Sequence, residues 1–188
     1  MLDGDFPKDV SEADGWLITG SKYGAYEDHD WIPPLEDFIR EIYASGRPLV
    51  GICFGHQVMA QALGGKVEKF SGGWSVGGTD YRLASGGTMR LNAWHQDQVT
   101  TAPPGTTTIA ETDFCKHAGL AYRDNTISLQ PHPEFNDDYI EALLDTRGST
   151  LPAEIRDGAR AGLDAVLHTS EAALMIAAAL KAGPTAKT

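Results

Sequence analysis

Cysteine is scarce in this 188-residue chain, which has only two, Cys53 and Cys115. Two thiols build no disulfide framework, and no C-x-x-C pair offers zinc-site spacing, so a reducing compartment and no metal are the expectation. Positive charge is also in short supply: 15 Lys and Arg stand against 26 Asp and Glu, a net charge of −11 at pH 7. Phosphate backbones and anionic membrane surfaces are held by basic patches, so neither nucleic acid nor membrane is expected as a partner. Long apolar runs are missing too. The longest, from Ala172 to Leu180, is far short of the ~20 residues a membrane span needs. The opening MLDGDFPKDVSEADGWLITG is acidic and lacks the charged start and apolar core of a secretory signal. There is no P-loop, no internal repeat and no low-complexity linker. A cytoplasmic location follows as the expectation.

What is present is an ordinary globular composition, 41% hydrophobic and 22% charged, in a length that fits one domain over 1–188. Trp16 to Thr19 is a short apolar strand that ends at Gly20-Ser21. Leu35, Phe38, Ile39 and Ile42 fall at helical spacing, and Gly46 stops that helix. Pro48 opens a strand over Leu49 to Ile52, and a helix follows from about Gly55 to Leu63. Between Val67 and Leu129, short runs such as VGGTDYRL, TMRLNAW, TTIAET, GLAYRD and TISLQ read as strands. From about residue 136 to 183 the chain is helical: DDYIEALLDTR, then PAEIRDGARAGLDAVLHT, then SEAALMIAAALKAG. Strand alternating with helix at the front predicts an α/β fold, a mainly parallel open sheet with flanking helices. Sites in such sheets form beyond the carboxyl ends of the strands. Gly20-Ser21 and Cys53 both lie at such ends.

Cys53 sits in Gly51-Ile52-Cys53-Phe54-Gly55. A nucleophile elbow is a strained strand-to-helix turn that tolerates only small residues two positions either side of the nucleophile, and Gly51 and Gly55 meet that demand. The helix that follows aims its positive end at the sulfur and favours a thiolate. The Phe54 N–H is placed for an oxyanion. The same residues also suit a buried cysteine at a tight turn, so a partner base has to decide. Among six histidines, His29, His117 and His168 fall in loops or near helix ends, and His56 follows the elbow directly. His132 is different. It follows the strand TISL in Gln130-Pro131-His132-Pro133-Glu134, and Glu134 is placed to hold the ring. By itself that stretch also reads as a rigid loop.

Together, GICFGHQ and the distant PHPEF resemble the class I (triad) glutamine amidotransferase family, in particular a free-standing domain like the amidotransferase part of GMP synthase. The resemblance implies a flavodoxin-like α/β fold and hydrolysis of the γ-glutamyl amide of glutamine with release of ammonia. It makes Cys53 the nucleophile that forms a thioester, His132 the general base and acid, and Glu134 its orienter. It assigns the oxyanion hole to backbone N–H groups of Phe54 and of Gly20-Ser21. Gln57 and Gly55 would hold the substrate's amino-acid end, with Gly73 and Trp74 forming another wall. His95, in Trp94-His95-Gln96-Asp97, is expected to shape the pocket rather than act as base, and Cys115 to be incidental. No cofactor is implied.

The family fold begins with a strand and helix ahead of the segment that opens here. The resemblance therefore implies that the chain lacks them, with a start internal to a longer product the favoured explanation. Ser21 stands where many relatives carry glycine. With no synthase domain alongside, ammonia would pass to a separate synthase subunit. Alternatively the substrate is a γ-glutamyl peptide or conjugate. Two other readings stay open, a truncated non-catalytic binding domain and a cysteine peptidase-like relative.

Overall fold

The computed structural model describes residues 5–185. In chain order the first elements are β1 (Trp16–Ile18), α1 (Ile32–Ser45), β2 (Leu49–Ile52), α2 (Phe54–Ala62) and β3 (Lys66–Lys69). There follow β4 (Ser75–Leu83), β5 (Thr88–His95), β6 (Asp97–Thr101), β7 (Thr107–Glu111), β8 (Gly119–Arg123) and β9 (Thr126–Leu129). Three helices complete it: α3 (Asp137–Arg147), α4 (Ala153–Ala161) and α5 (Thr169–Lys181).

Seven strands form one sheet in the order β1-β2-β9-β8-β7-β4-β5, and β3 pairs with β6 in a small second sheet. The α/β architecture is the expected one, but parallel pairing is confined to β1, β2 and β9. The other pairs are antiparallel. Connection length explains the division. Asp124-Asn125 alone links β8 to β9, and the four residues Ala84 to Gly87 link β4 to β5. Such links permit only hairpins, whereas parallel neighbours need a crossover such as α1 or α2.

The parallel half has helices on both faces. Leu49 packs with Leu35, Phe38, Ile39 and Ile42 of α1 and with Val58 and Met59 of α2. Val50 and Ile52 point the other way, into a cluster with Ile127, Leu129 and the inner side of α5. This alternation along β2 leaves every residue of LVGI buried, the pattern of an interior parallel strand. α1 begins with Pro33 and Pro34 in its first turn, where no intrahelical N–H is required, and ends at Gly46 with φ 80°.

The C-terminal helical region is broken where the sequence predicts continuity. The stretch expected to run on to Thr169 ends at Ala161. Gly162 caps it by donating its N–H to the carbonyls of Gly158 and Ala159, and Asp164 turns the chain with φ 67°. His168 then docks on β5: its N–H donates to the Arg90 carbonyl at 2.9 Å, and its Nδ1 accepts from the Arg90 N–H at 3.0 Å. That tertiary pairing outweighs the helical pattern of Ala165 to Leu167.

Candidate active site

Three adjacent parallel strands deliver three chain segments to one place. β1 ends into Thr19-Gly20-Ser21, β2 into Cys53, and β9 into Gln130-Pro131-His132. All lie beyond carboxyl ends, where open α/β sheets form their crevices.

Cys53 has φ 53° and ψ −104°, a region that costs a residue with a side chain on the order of 1–3 kcal/mol. The surroundings hold it there. Its N–H donates to the Leu129 carbonyl at 2.8 Å, and its carbonyl accepts from the Gln57 N–H at 3.1 Å. The flanking glycines are required by contact: a Cβ on Gly51 would stand 2.5 Å from the Gly55 carbonyl oxygen and the Met59 sulfur, and one on Gly55 would strike the Ile18 carbonyl. Phe54 opens α2, so its N–H has no intrahelical acceptor.

His132 is buried, at 5% exposure. Its backbone N–H donates to the Asn92 carbonyl at 2.8 Å, and its Nδ1–H donates to Glu134 Oε1 at 2.7 Å. Phe135 stacks flat on the imidazole, with ring centres 3.9 Å apart and planes within 4°. Burial pulls the imidazole pKa down, but the facing Cys53 sulfur and the Glu134 carboxylate outweigh it and push it up to about 9. Gly20 is the third side of this arrangement: a Cβ there would stand 3.0 Å from His132 Cε1 and 3.8 Å from Cys53 Cβ.

The other candidates separate clearly. His95 lies in the crevice wall with Nδ1 against the Asp97 carbonyl at 3.1 Å. Burial drives its pKa down to about 4, so it stays neutral. His56 is buried behind the elbow, Nδ1 on Ser128 Oγ at 2.7 Å, and burial lowers it to about 3. Cys115 is buried in another cluster, where desolvation pushes the thiol up to about 12 and leaves it inert.

Gln57 reaches the crevice, and its side-chain Nε2 is committed to the Asp97 carbonyl at 3.0 Å and Gln130 Oε1 at 3.1 Å. Its carbonyl oxygen is what it has left to offer a ligand ammonium. Ser21 and Trp74 also line the cavity, which measures about 570 Å³. Gly55 and Gly73 are not among the residues that line it. Gly55 is spent on the contact between α2 and β1. Gly73 turns the backbone at φ 96° and its N–H donates to the Phe70 carbonyl at 3.3 Å, a turn that presents Trp74.

Sequence reasoning passed over the far wall. Tyr139, Leu143 and Arg147 of α3 line the cavity together with Leu151. Their spacing of four was visible, but which face of α3 turns inward was not. Among the described residues no cluster of His, Cys, Asp and Glu is arranged to hold a metal, and no helix is long and apolar enough to cross a membrane.

The glutamine amidotransferase class-I family model matches residues 6–140. Gamma-glutamyl peptidase 4 of Arabidopsis thaliana is 31% identical over 160 residues, covering 77% of this chain and 64% of that protein. GMP synthase [glutamine-hydrolyzing] of Burkholderia vietnamiensis is 34% identical over 157 residues, covering 68% of this chain and 27% of that one. The chain thus spans slightly under two thirds of the length of the first curated relatives it matches. The crystal structure of a glutamine amido transferase from Methylobacillus flagellatus superposes with a TM-score of 0.74 at 23% identity, over 94% of this chain and 75% of that one. With an elbow cysteine, a stacked histidine and a carboxylate beyond the ends of two neighbouring parallel strands, and with the family model covering most of its length, the chain belongs to the class-I glutamine amidotransferase family.

Proposed function

We propose that the protein hydrolyses γ-glutamyl amide bonds through a thioester on Cys53. The observation that carries this reading is the elbow cysteine held at φ 53° against a buried imidazole that Glu134 grips at 2.7 Å. In the proposed cycle the Cys53 thiolate attacks the γ-carbonyl carbon, and the charge that develops on oxygen is met by the N–H groups of Phe54 and of Gly20-Ser21. His132, holding the thiol proton, delivers it to the departing nitrogen as the C–N bond breaks. A water then enters, His132 takes one of its protons, and the C–S bond breaks to release glutamate. Glu134 keeps the imidazole in the tautomer this sequence requires.

Two observations favour a γ-glutamyl peptide or conjugate over glutamine alone as the substrate. The relatives include proteins named as gamma-glutamyl peptidases. The cavity of about 570 Å³ also exceeds what glutamine fills: its ten or so heavy atoms take roughly 300 Å³ even at the ~30 Å³ that a water occupies in the liquid. Transfer of ammonia to a separate synthase subunit is the alternative, supported by the similarity to GMP synthase. The intact arrangement of Cys53, His132 and Glu134 weighs against a purely binding domain. The test is glutamate release from glutamine and from γ-glutamyl dipeptides, with Cys53→Ala as control. No release from either class overturns the proposal.

The raised imidazole pKa sets a pH limb. With His132 protonated up to about pH 9, its proton remains available to the leaving nitrogen below that value and is lost above it. kcat/KM is expected to fall about tenfold per unit above pH 9. Glu134→Gln removes one of the two interactions that raise the pKa, so the limb should move to lower pH. A limb that stays in place in the pH–rate profile would show that Glu134 does not tune His132.

A further inference from the structure

The base has a face as well as two nitrogens, and the proposed cycle uses only the nitrogens. Phe135 lies flat on that face, ring centres 3.9 Å apart and planes within 4°. The stack is fastened from both sides. The Phe135 N–H donates to the His132 carbonyl at 3.2 Å, and the Phe135 carbonyl accepts from Asn92 Nδ2 at 3.1 Å. Asn92 is itself buried in β5 and takes the His132 N–H on its own carbonyl. One residue of the sheet therefore fixes both members of the stack. Phe135 also packs against the cluster of Ile140, Leu144, Leu151 and Ala159, and Tyr139 meets it with ring centres 4.4 Å apart.

The imidazole has to carry charge where little water reaches it. His132 is buried, and burial alone disfavours the imidazolium. The groups that face it are few. Cys53 stands across from it at the start of α2, Glu134 accepts from its Nδ1, and His95 at the end of β5 is held neutral. Glu134 is half exposed, so water competes for its charge and weakens its hold. The Phe135 face is different. An aromatic face is negative and attracts a cation within about 6 Å of the ring centre, more strongly where water is excluded. A neutral imidazole gains much less from the same contact. The stack therefore favours His132 with its second proton, the form that pairs with a thiolate.

We propose that Phe135 is a positioning residue for the reaction: its ring face sets the imidazole plane and holds the Cys53–His132 pair as thiolate and imidazolium. This inference rests on the Cys53 reading above. No further reactant is involved. The thiol proton passes from Sγ to Nε2 before substrate binds, and the stack keeps it there until the departing nitrogen takes it.

The experiment follows two pH profiles on the full chain. One is alkylation of the free protein by iodoacetamide, read by mass on the peptide that contains Cys53. The other is kcat/KM on glutamine and on a γ-glutamyl dipeptide. The parent is compared with Phe135→Leu and with a chain carrying trifluorophenylalanine at residue 135. Leucine keeps an apolar cover without a ring face, and fluorination keeps the ring while draining its negative face. Both changes should move the alkaline limb of kcat/KM to lower pH by about half a unit or more. Both should also move the onset of Cys53 alkylation to higher pH by a similar amount. Limbs that stay in place in the fluorinated protein overturn the role of Phe135 and leave the Cys53 reading standing. A parent that turns over neither substrate overturns both.

Discussion

Cys53→Ala is expected to reduce kcat/KM on any γ-glutamyl substrate by roughly 10⁴-fold or more, the scale seen when the nucleophile of a covalent mechanism is removed. The size follows from the lack of a substitute. Cys115 is buried away from the crevice, its thiol pushed up to about 12. His95 and His56 are held neutral by burial. The variant keeps the Cβ, the elbow backbone and the bond from the residue-53 N–H to the Leu129 carbonyl, so it should fold and melt close to the parent. Matched thermal melts with activity retained within tenfold would rule out Cys53 as nucleophile. A lost melt would instead mean that the sulfur is needed for packing.

The second large effect falls on stability. Gly55→Ala drives a methyl group into the Ile18 carbonyl, between an edge strand of the sheet and the first turn of α2. Backbone cannot yield there as a flexible side chain would, and the expected loss is about 3 kcal/mol or more. Gly158→Ala is the internal comparison. It lies inside α4, a Cβ there meets nothing within 4 Å, and replacing a helical glycine should gain about 1 kcal/mol. Chemical denaturation of both variants reads the contrast. A Gly55→Ala variant as stable as the parent would mean that α2 and β1 are not packed as described.

The front of the fold was legible because its signals are local. LVGI between Pro48 and Cys53 reads as a strand, and glycines on both sides of Cys53 suit a tight turn. Gly55 was legible as the small residue the elbow demands, but the partner that makes the demand, the Ile18 carbonyl of β1, was not. The helix expected through Leu167 breaks at Gly162 because His168 pairs with Arg90 of β5, a contact 78 positions distant that no local pattern encodes. The same limit hid the α3 wall. Tyr139, Leu143 and Arg147 announce a shared face, but only the packing of Ile140 and Leu144 into the core beneath decides that this face looks into the crevice. The stack of Phe135 on His132 was equally out of reach, since PHPEF gives their adjacency and not the flat contact at 3.9 Å.

The most direct test of the account is the covalent intermediate itself. The protein is mixed with a γ-glutamyl dipeptide, quenched in acid within a turnover and digested, and its peptides are weighed. The account predicts one glutamyl group in thioester linkage on the peptide that contains Cys53, absent in Cys53→Ala and released by hydroxylamine. Turnover with no adduct on Cys53, or an adduct carried instead by Cys115, would contradict it.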